Sequence, residues 1–193
     1  RNEVASLASE QTKLVSREAE LDRITEHAKR RIEEVTRDRE RLEQVVELGG
    51  ASVQVSGILL KRRNFTAAPN ELTQDVISYQ QQLNDAALRQ ISLHEYLRES
   101  SDSRAELQRL LDTIPEAERD ALRSSAVEAL DRQRELSLAL WKQYTRVITK
   151  LSALEALTRQ RLQVIQEYRS FIDDHLLWMP SAELSPLEQP GLL

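Results

Sequence analysis

Cysteine is missing from this chain of 193 residues, and glycine, proline and aromatic residues are scarce: four Gly, five Pro and 4% Phe, Trp and Tyr. Without cysteine there are no disulfides and no Cys-based zinc sites, which fits cytoplasm and periplasm equally. The shortage of Gly and Pro beside 31% charged residues speaks against a β-sandwich and for a hydrophilic, helix-rich chain. With so few aromatics, the core has to be built from Leu, Ile, Val and Ala. No apolar run approaches the ~20 residues that a membrane-spanning helix needs. A net charge of −5 argues against a general nucleic-acid binder, which requires a surplus of Lys and Arg on some face. The chain starts at Arg1 rather than Met, so the lack of a signal peptide carries no information.

What is present is helix. From Pro115 to Trp178 no proline or glycine intervenes, and Ala, Leu, Glu, Gln and Arg dominate. Pro115 suits a first helical position, and Glu116 and Glu118 complement the helix N-terminus. At ~1.5 Å per residue such a helix is about 95 Å long and needs partners along its length. Its apolar stripe, from Leu130 and Leu136 through Leu140, Tyr144, Leu151 and Ile165 to Leu176, is wide enough to contact two other helices.

Those partners precede it. Arg1 to Leu48 reads as a first helix, with Leu7, Leu14, Leu21, Ala28, Val35 and Leu42 at seven-residue intervals. Glu10, Arg17, Arg31 and Asp38 stand where a two-stranded coil wants apolar residues, so the seam is thin. It fits an outer member of a bundle, or one end of a fragment missing its mate. Gly49 and Gly50 end this helix. Ser52 to Phe65 forms a shorter one with Val53, Ile58, Leu59 and Leu60, closing on Lys61, Arg62 and Arg63. Cations there suit a solvated helix end, the rival being a phosphate-binding patch. Pro69 opens a helix to Glu99, with Leu72, Val76, Tyr79, Leu83, Ala86, Gln90, Leu93 and Leu97 facing its neighbours. Ser100 to Ser103 breaks it, and Ser103 with Glu106 forms a capping box for a short helix through Leu111. The fold class is all-α: an elongated antiparallel helical bundle or set of coiled-coil hairpins with one very long C-terminal helix. Residues 1–178 make the helical domain. Residues 179–193, with three Pro and one Gly, make a linker.

No catalytic constellation is visible, and no cofactor or metal is expected. His27, His94 and His175 lie on three different helices without the i, i+4 pairing of helical metal sites. His94 beside Glu95, and His175 after Asp173 and Asp174, are acid–base neighbours of the kind chance produces in so charged a chain. Gly57 stands alone, with no phosphate-cradling loop, and no Ser or Thr has a nucleophile-elbow context. The chain is not expected to be an enzyme.

Two segments carry a resemblance: Arg41 to Leu72, RLEQVVELGGASVQVSGILLKRRNFTAAPNEL, and Tyr168 to Ala182, YRSFIDDHLLWMPSA. Together they resemble the periplasmic N-terminal, porin-type domain of the large bacterial mechanosensitive channels, the potassium-dependent type and its relatives. The helix end at Gly49-Gly50, the turn at Gly57, the basic stretch Lys61-Arg62-Arg63 and Pro69 occupy the family's positions, and Leu176-Leu177-Trp178 matches its Leu-Leu-Trp signature. Ala68 replaces the family's Leu before proline, and Ser56 the usual Leu before Gly57.

The resemblance implies a periplasmic piece of an inner-membrane channel of a Gram-negative bacterium, opening on hypo-osmotic shock and assembled as a ring-shaped homo-oligomer. The piece would have an accessory, gating or assembly role. Its partners would be other copies of itself and the inner membrane through a downstream region, with peptidoglycan or outer membrane as further contacts and no nucleic acid. Leu176, Leu177, Trp178 and Met179 then become a membrane-proximal anchor, since an indole suits the bilayer interface. The competing expectation is that Trp178 caps the bundle core. The alternative function is a free coiled-coil adaptor, or a secretion-system hairpin, that binds protein partners.

Overall fold

The computed structural model describes residues 2–65, 69–111 and 116–178. They form four helices, α1 (Asn2–Gly49), α2 (Val53–Phe65), α3 (Pro69–Leu111) and α4 (Glu116–Trp178), and no strand occurs among the described residues. The fold is an all-α helical bundle with a 63-residue C-terminal helix. Pro115, Met179 and the linker at 179–193 lie outside the described residues.

One expected break is absent. α3 runs unbroken through Ser100–Ser103 to Leu111. Ser and Asp cost a helix only a few tenths of a kcal/mol each, roughly 0.5 relative to Ala. The Ser100 hydroxyl is satisfied inside the helix, donating to the Leu97 carbonyl at 2.9 Å. The side chains of Ser103 and Glu106 lie outside the described residues, but the continuous backbone leaves no start there for a capping box.

Packing groups the chain into two compact units. One joins the residues up to Thr25 with Ile77–Glu155. The other joins Glu26–Val76 with the residues from Ala156 on.

In the first unit, Leu7, Leu93 and Leu140 form a buried cluster, with Leu14, Leu136, Trp141 and Tyr144 packed against it. Cross-helix bonds fix the directions. Glu10 meets Arg89 and Arg17 meets Gln82, so α1 and α3 run antiparallel. Gln80 meets Glu155 and Gln90 meets Thr145, so α3 and α4 do too. Glu10 pairs with Tyr144 and Asp22 with Lys150, so α1 and α4 are parallel, as an up-down-up bundle requires. Of the charged positions of the α1 seam, Glu10, Arg17 and Asp38 are cross-helix links rather than vacancies, whereas Arg31 pairs with Glu34 of its own helix at 2.8 Å. Arg89 donates to both Glu10 carboxylate oxygens at 2.9 and 2.8 Å, and the Tyr144 hydroxyl donates to the same carboxylate at 2.7 Å.

In the second unit, Leu42, Val55, Leu59, Tyr168 and Ile172 are buried together, flanked by Val35, Val45, Val46, Phe171 and Leu176. α2 folds back along α1, with Val55 beside Gly49 and Arg62 beside Asp38. Of the apolar residues that stand out in α2, only Leu59 is buried; Val53, Ile58 and Leu60 are exposed. Val55 is the other buried contact, one turn before Leu59, where i, i+4 spacing makes a single apolar face.

Candidate functional site

Three glycines of the sequence reading behave differently. Gly50 adopts φ +54°, and its N–H donates to the Val46 carbonyl at 2.9 Å, an αL cap that satisfies an orphan carbonyl of α1. The chain then restarts at once. The Ser52 hydroxyl accepts from the Val55 N–H at 3.3 Å, an N-cap for α2. Gly49 is required by proximity, since a Cβ there would stand 2.5 Å from Val55 Cγ2. Gly57 has neither role. It lies inside α2, not at a turn, and a Cβ would meet nothing within 4 Å. Pro69 is the first residue of α3, where its missing N–H costs no hydrogen bond.

The α1–α2 turn and the end of α4 lie at the same end of the second unit. The Arg161 guanidinium lies within electrostatic reach of Arg31 and Glu34, and the Tyr168 hydroxyl donates to Asp38 at 2.8 Å, so α1 and α4 are parallel here. Continuing equally from Asp38 and Tyr168 brings Leu48 level with Trp178. Leu48 is 91% exposed, Leu177 80% and Trp178 86%, with Val53 half exposed at the start of α2. This end is therefore an apolar tip. Of the expected anchor residues, Leu176 packs on the core cluster, Leu177 and Trp178 point into solvent, and Met179 lies outside the described residues. Trp178 does not cap the core. The place of Leu48 at this end could not be read from the sequence, because it follows from the parallel packing of α1 and α4, residues far apart in the chain.

Below the tip, the basic stretch is tied to neighbouring helices. Arg62 pairs with Asp38 at 3.1 Å and Arg63 with Asp173 at 2.8 Å, while Arg39 bridges Glu43 at 2.8 Å and Glu167 at 3.0 Å. All are partly exposed, so each contributes about 0–1 kcal/mol. Burial, followed by the hydrogen bond to Asp38, pushes the Tyr168 phenol well above its ordinary range.

The histidines do not converge. His27 and His94 are exposed, His94 with its ring 6.5 Å from that of Trp141. His175 is half buried against Phe171, its Nδ1 2.7 Å from the Phe171 carbonyl. Among the described residues, no three His, Asp or Glu are placed to hold a metal ion, and no helix is long and apolar enough to cross a membrane. In comparisons with known proteins, the chain matches no family model, no curated protein and no solved structure.

Proposed function

We propose that this chain is a periplasmic helical domain of a mechanosensitive inner-membrane channel, working without catalysis, with the Leu48/Trp178 end toward the bilayer. The observation that supports it most is the apolar tip. Leu48, Val53, Leu177 and Trp178 are exposed together on a chain that is 31% charged. A leucine pair and an indole at the end of a long helix suit the headgroup region, where Trp places its ring in the apolar layer and its N–H at the wet boundary. A stiff helical domain held there biases the closed–open equilibrium by packing differently in the two states.

Trp fluorescence tests this directly, since Trp141 is the one other indole. In a Trp141→Phe background, vesicles of phosphatidylethanolamine and phosphatidylglycerol should shift Trp178 emission to the blue. Unchanged emission at saturating lipid would sink the membrane-proximal placement. Patch-clamp recording of the channel with and without residues 1–178 tests the gating half; an identical tension threshold and identical kinetics would remove it. A second reading, a coiled-coil adaptor, draws on the exposed aliphatic side chains of the first unit.

A further inference from the structure

Helix α2 is apolar on two sides, and its own bundle covers only one. Val55 and Leu59 are buried, while Val53, Ile58 and Leu60 are 55%, 42% and 46% exposed. A helix apolar on opposite sides is one that is normally covered on both. Arg63, bonded to Asp173 at 2.8 Å, marks the side of α2 turned to α4. At about 100° per residue, Val55 and Leu59 lie to one side of Arg63, and Leu60, Val53 and Gly57 lie about 60–120° round the other way. This outer flank has a notch at Gly57, where a Cβ would meet nothing within 4 Å.

The flank continues onto the tip. Leu177 follows Asp173 by four residues, on the face of α4 that meets α2. Because α2 runs opposite to α4, the Arg63–Asp173 pair sets Leu59 and Leu60 at the height of Leu177, which is 80% exposed. Charge here has one sign. From Leu48 to Asn70 there is no Asp or Glu, in a chain that has 32 of them. Of the three cations in this run, Arg62 is paired with Asp38 and Arg63 with Asp173. Lys61 is exposed and stands one turn from Gly57, at the edge of the flank.

Taking the membrane-proximal placement as premise, we infer that the outer flank of α2, formed by Val53, Gly57 and Leu60 and continued by Leu177, rests in the headgroup layer of an anionic bilayer, with Lys61 among the lipid phosphates. The domain then leans on the α2 edge of its tip and does not stand squarely on Trp178. Helices that lie in a bilayer interface bury an apolar side at the headgroup boundary and keep Lys at its rim. Anionic headgroups attract such a lysine, and a stretch without carboxylates meets them without repulsion. A zwitterionic surface offers the apolar contact but not the charge, so lipid class is the discriminating variable.

The chain has no cysteine, so one label can be placed cleanly. An environment-sensitive dye on Gly57→Cys reads the flank, and Trp178 emission in the Trp141→Phe background reads the tip. Val53→Cys is a second labelling site, and circular dichroism confirms that each variant is folded. Vesicles of phosphatidylcholine with phosphatidylglycerol should shift both signals to the blue, and phosphatidylcholine alone should bind about fivefold more weakly. Lys61→Gln should weaken binding to the anionic vesicles about fivefold and leave the zwitterionic ones unchanged. A blue shift of Trp178 with the dye unmoved at both label sites would overturn this orientation and leave the membrane-proximal placement standing. No shift of either signal would end both. Equal affinity for the two vesicle types would overturn the lipid class. A dye shift that grows with protein concentration without lipid would give the flank to a second copy and overturn the bilayer contact.

Discussion

The two units use the same three long helices but hold them together differently. The first packs a leucine cluster, buries Leu21, Val147, Leu151 and Leu154 as well, and adds polar links: Glu10 to Arg89 and Tyr144, Arg17 to Gln82, and Lys150 to Asp22 at 2.6 Å. It also buries Ser137 and Gln143, the Gln143 amide nitrogen without a hydrogen-bond partner. The second adds a fourth helix, which contributes Val55 and Leu59 to an apolar cluster in which Leu59 and Ile172 are fully buried. Polar links are directional, and their strength follows ionisation. Apolar contact is non-directional and scales with buried area. Both kinds of contact occur in each unit, with Tyr168 bonded to Asp38 in the second and Leu21, Leu140 and Leu154 fully buried in the first, so Glu10 and Tyr144 probe the polar links of the first unit and Leu59 probes the apolar core where the fourth helix docks.

The largest expected effect is on volume. Leu59→Ala removes a side chain that is 0% exposed and should cost about 2–5 kcal/mol. Amide exchange should speed up across α2 and the neighbouring end of α1, while Leu83 to Leu93 keep their protection. Equal loss in both places would show a single cooperative unit and end the distinction. Next comes Gly49→Ala, whose Cβ would press on Val55 and should cost about 1–3 kcal/mol by overpacking. Gly57→Ala should do the reverse and stabilise by about 0.5–1 kcal/mol, since its site is open and helical. Denaturant midpoints of the two variants should move in opposite directions.

In the first unit the pH effect centres on Glu10 and Tyr144. Hydrogen bonds from Arg89, opposed by burial and helped by Tyr144, hold the Glu10 carboxyl below its ordinary 4.5. Its contribution to stability is complete above pH 4.5 and is lost as pH falls through the lower folded value. Burial, followed by the bond to Glu10, pushes the Tyr144 phenol from 10.0 up to about 12. That contribution holds below pH 10.0 and is lost as pH rises toward 12. Glu10→Gln should flatten the acid limb of the melting curve. Tyr144→Phe should lower stability at neutral pH by about 0.5–1.5 kcal/mol and soften the alkaline limb. Acid limbs of the same slope in the wild type and Glu10→Gln would refute the assignment.

Much of this architecture is legible in residue spacing. The heptads of α1 and the three- and four-residue steps of α3 all turn inward, because a helix has one way to bury a stripe. Two features escaped for physical reasons. The charged seam positions of α1 suggest a missing mate until Arg89 and Tyr144 appear opposite Glu10, a pairing between residues far apart in sequence. The run Ser100–Ser103 suggests a break because local propensity is all that a sequence window shows, whereas α3 continues through it. The tip was half legible. Leu-Leu-Trp stands out as a motif, but which of its members faces the core depends on the angular position of α4, and Leu48 joins only through the fold.

The tip also provides the smallest stability effect, and one that separates exposure from packing. Leu176, Leu177 and Trp178 are consecutive and all apolar, so hydropathy alone treats them alike. Yet Leu176 packs beside Ile172 and Tyr168 in the second unit's cluster, while its two neighbours are 80% and 86% exposed. Leu177→Ser and Trp178→Ser should each leave the denaturant midpoint within about 0.5 kcal/mol of wild type, whereas Leu176→Ala should lose clearly more. The same two serine variants should weaken vesicle binding, a readout that packing alone would not move. A loss of stability from Trp178→Ser as large as that from Leu176→Ala would mean that the indole is held by the bundle. The membrane-proximal placement would then lose the observation that supports it.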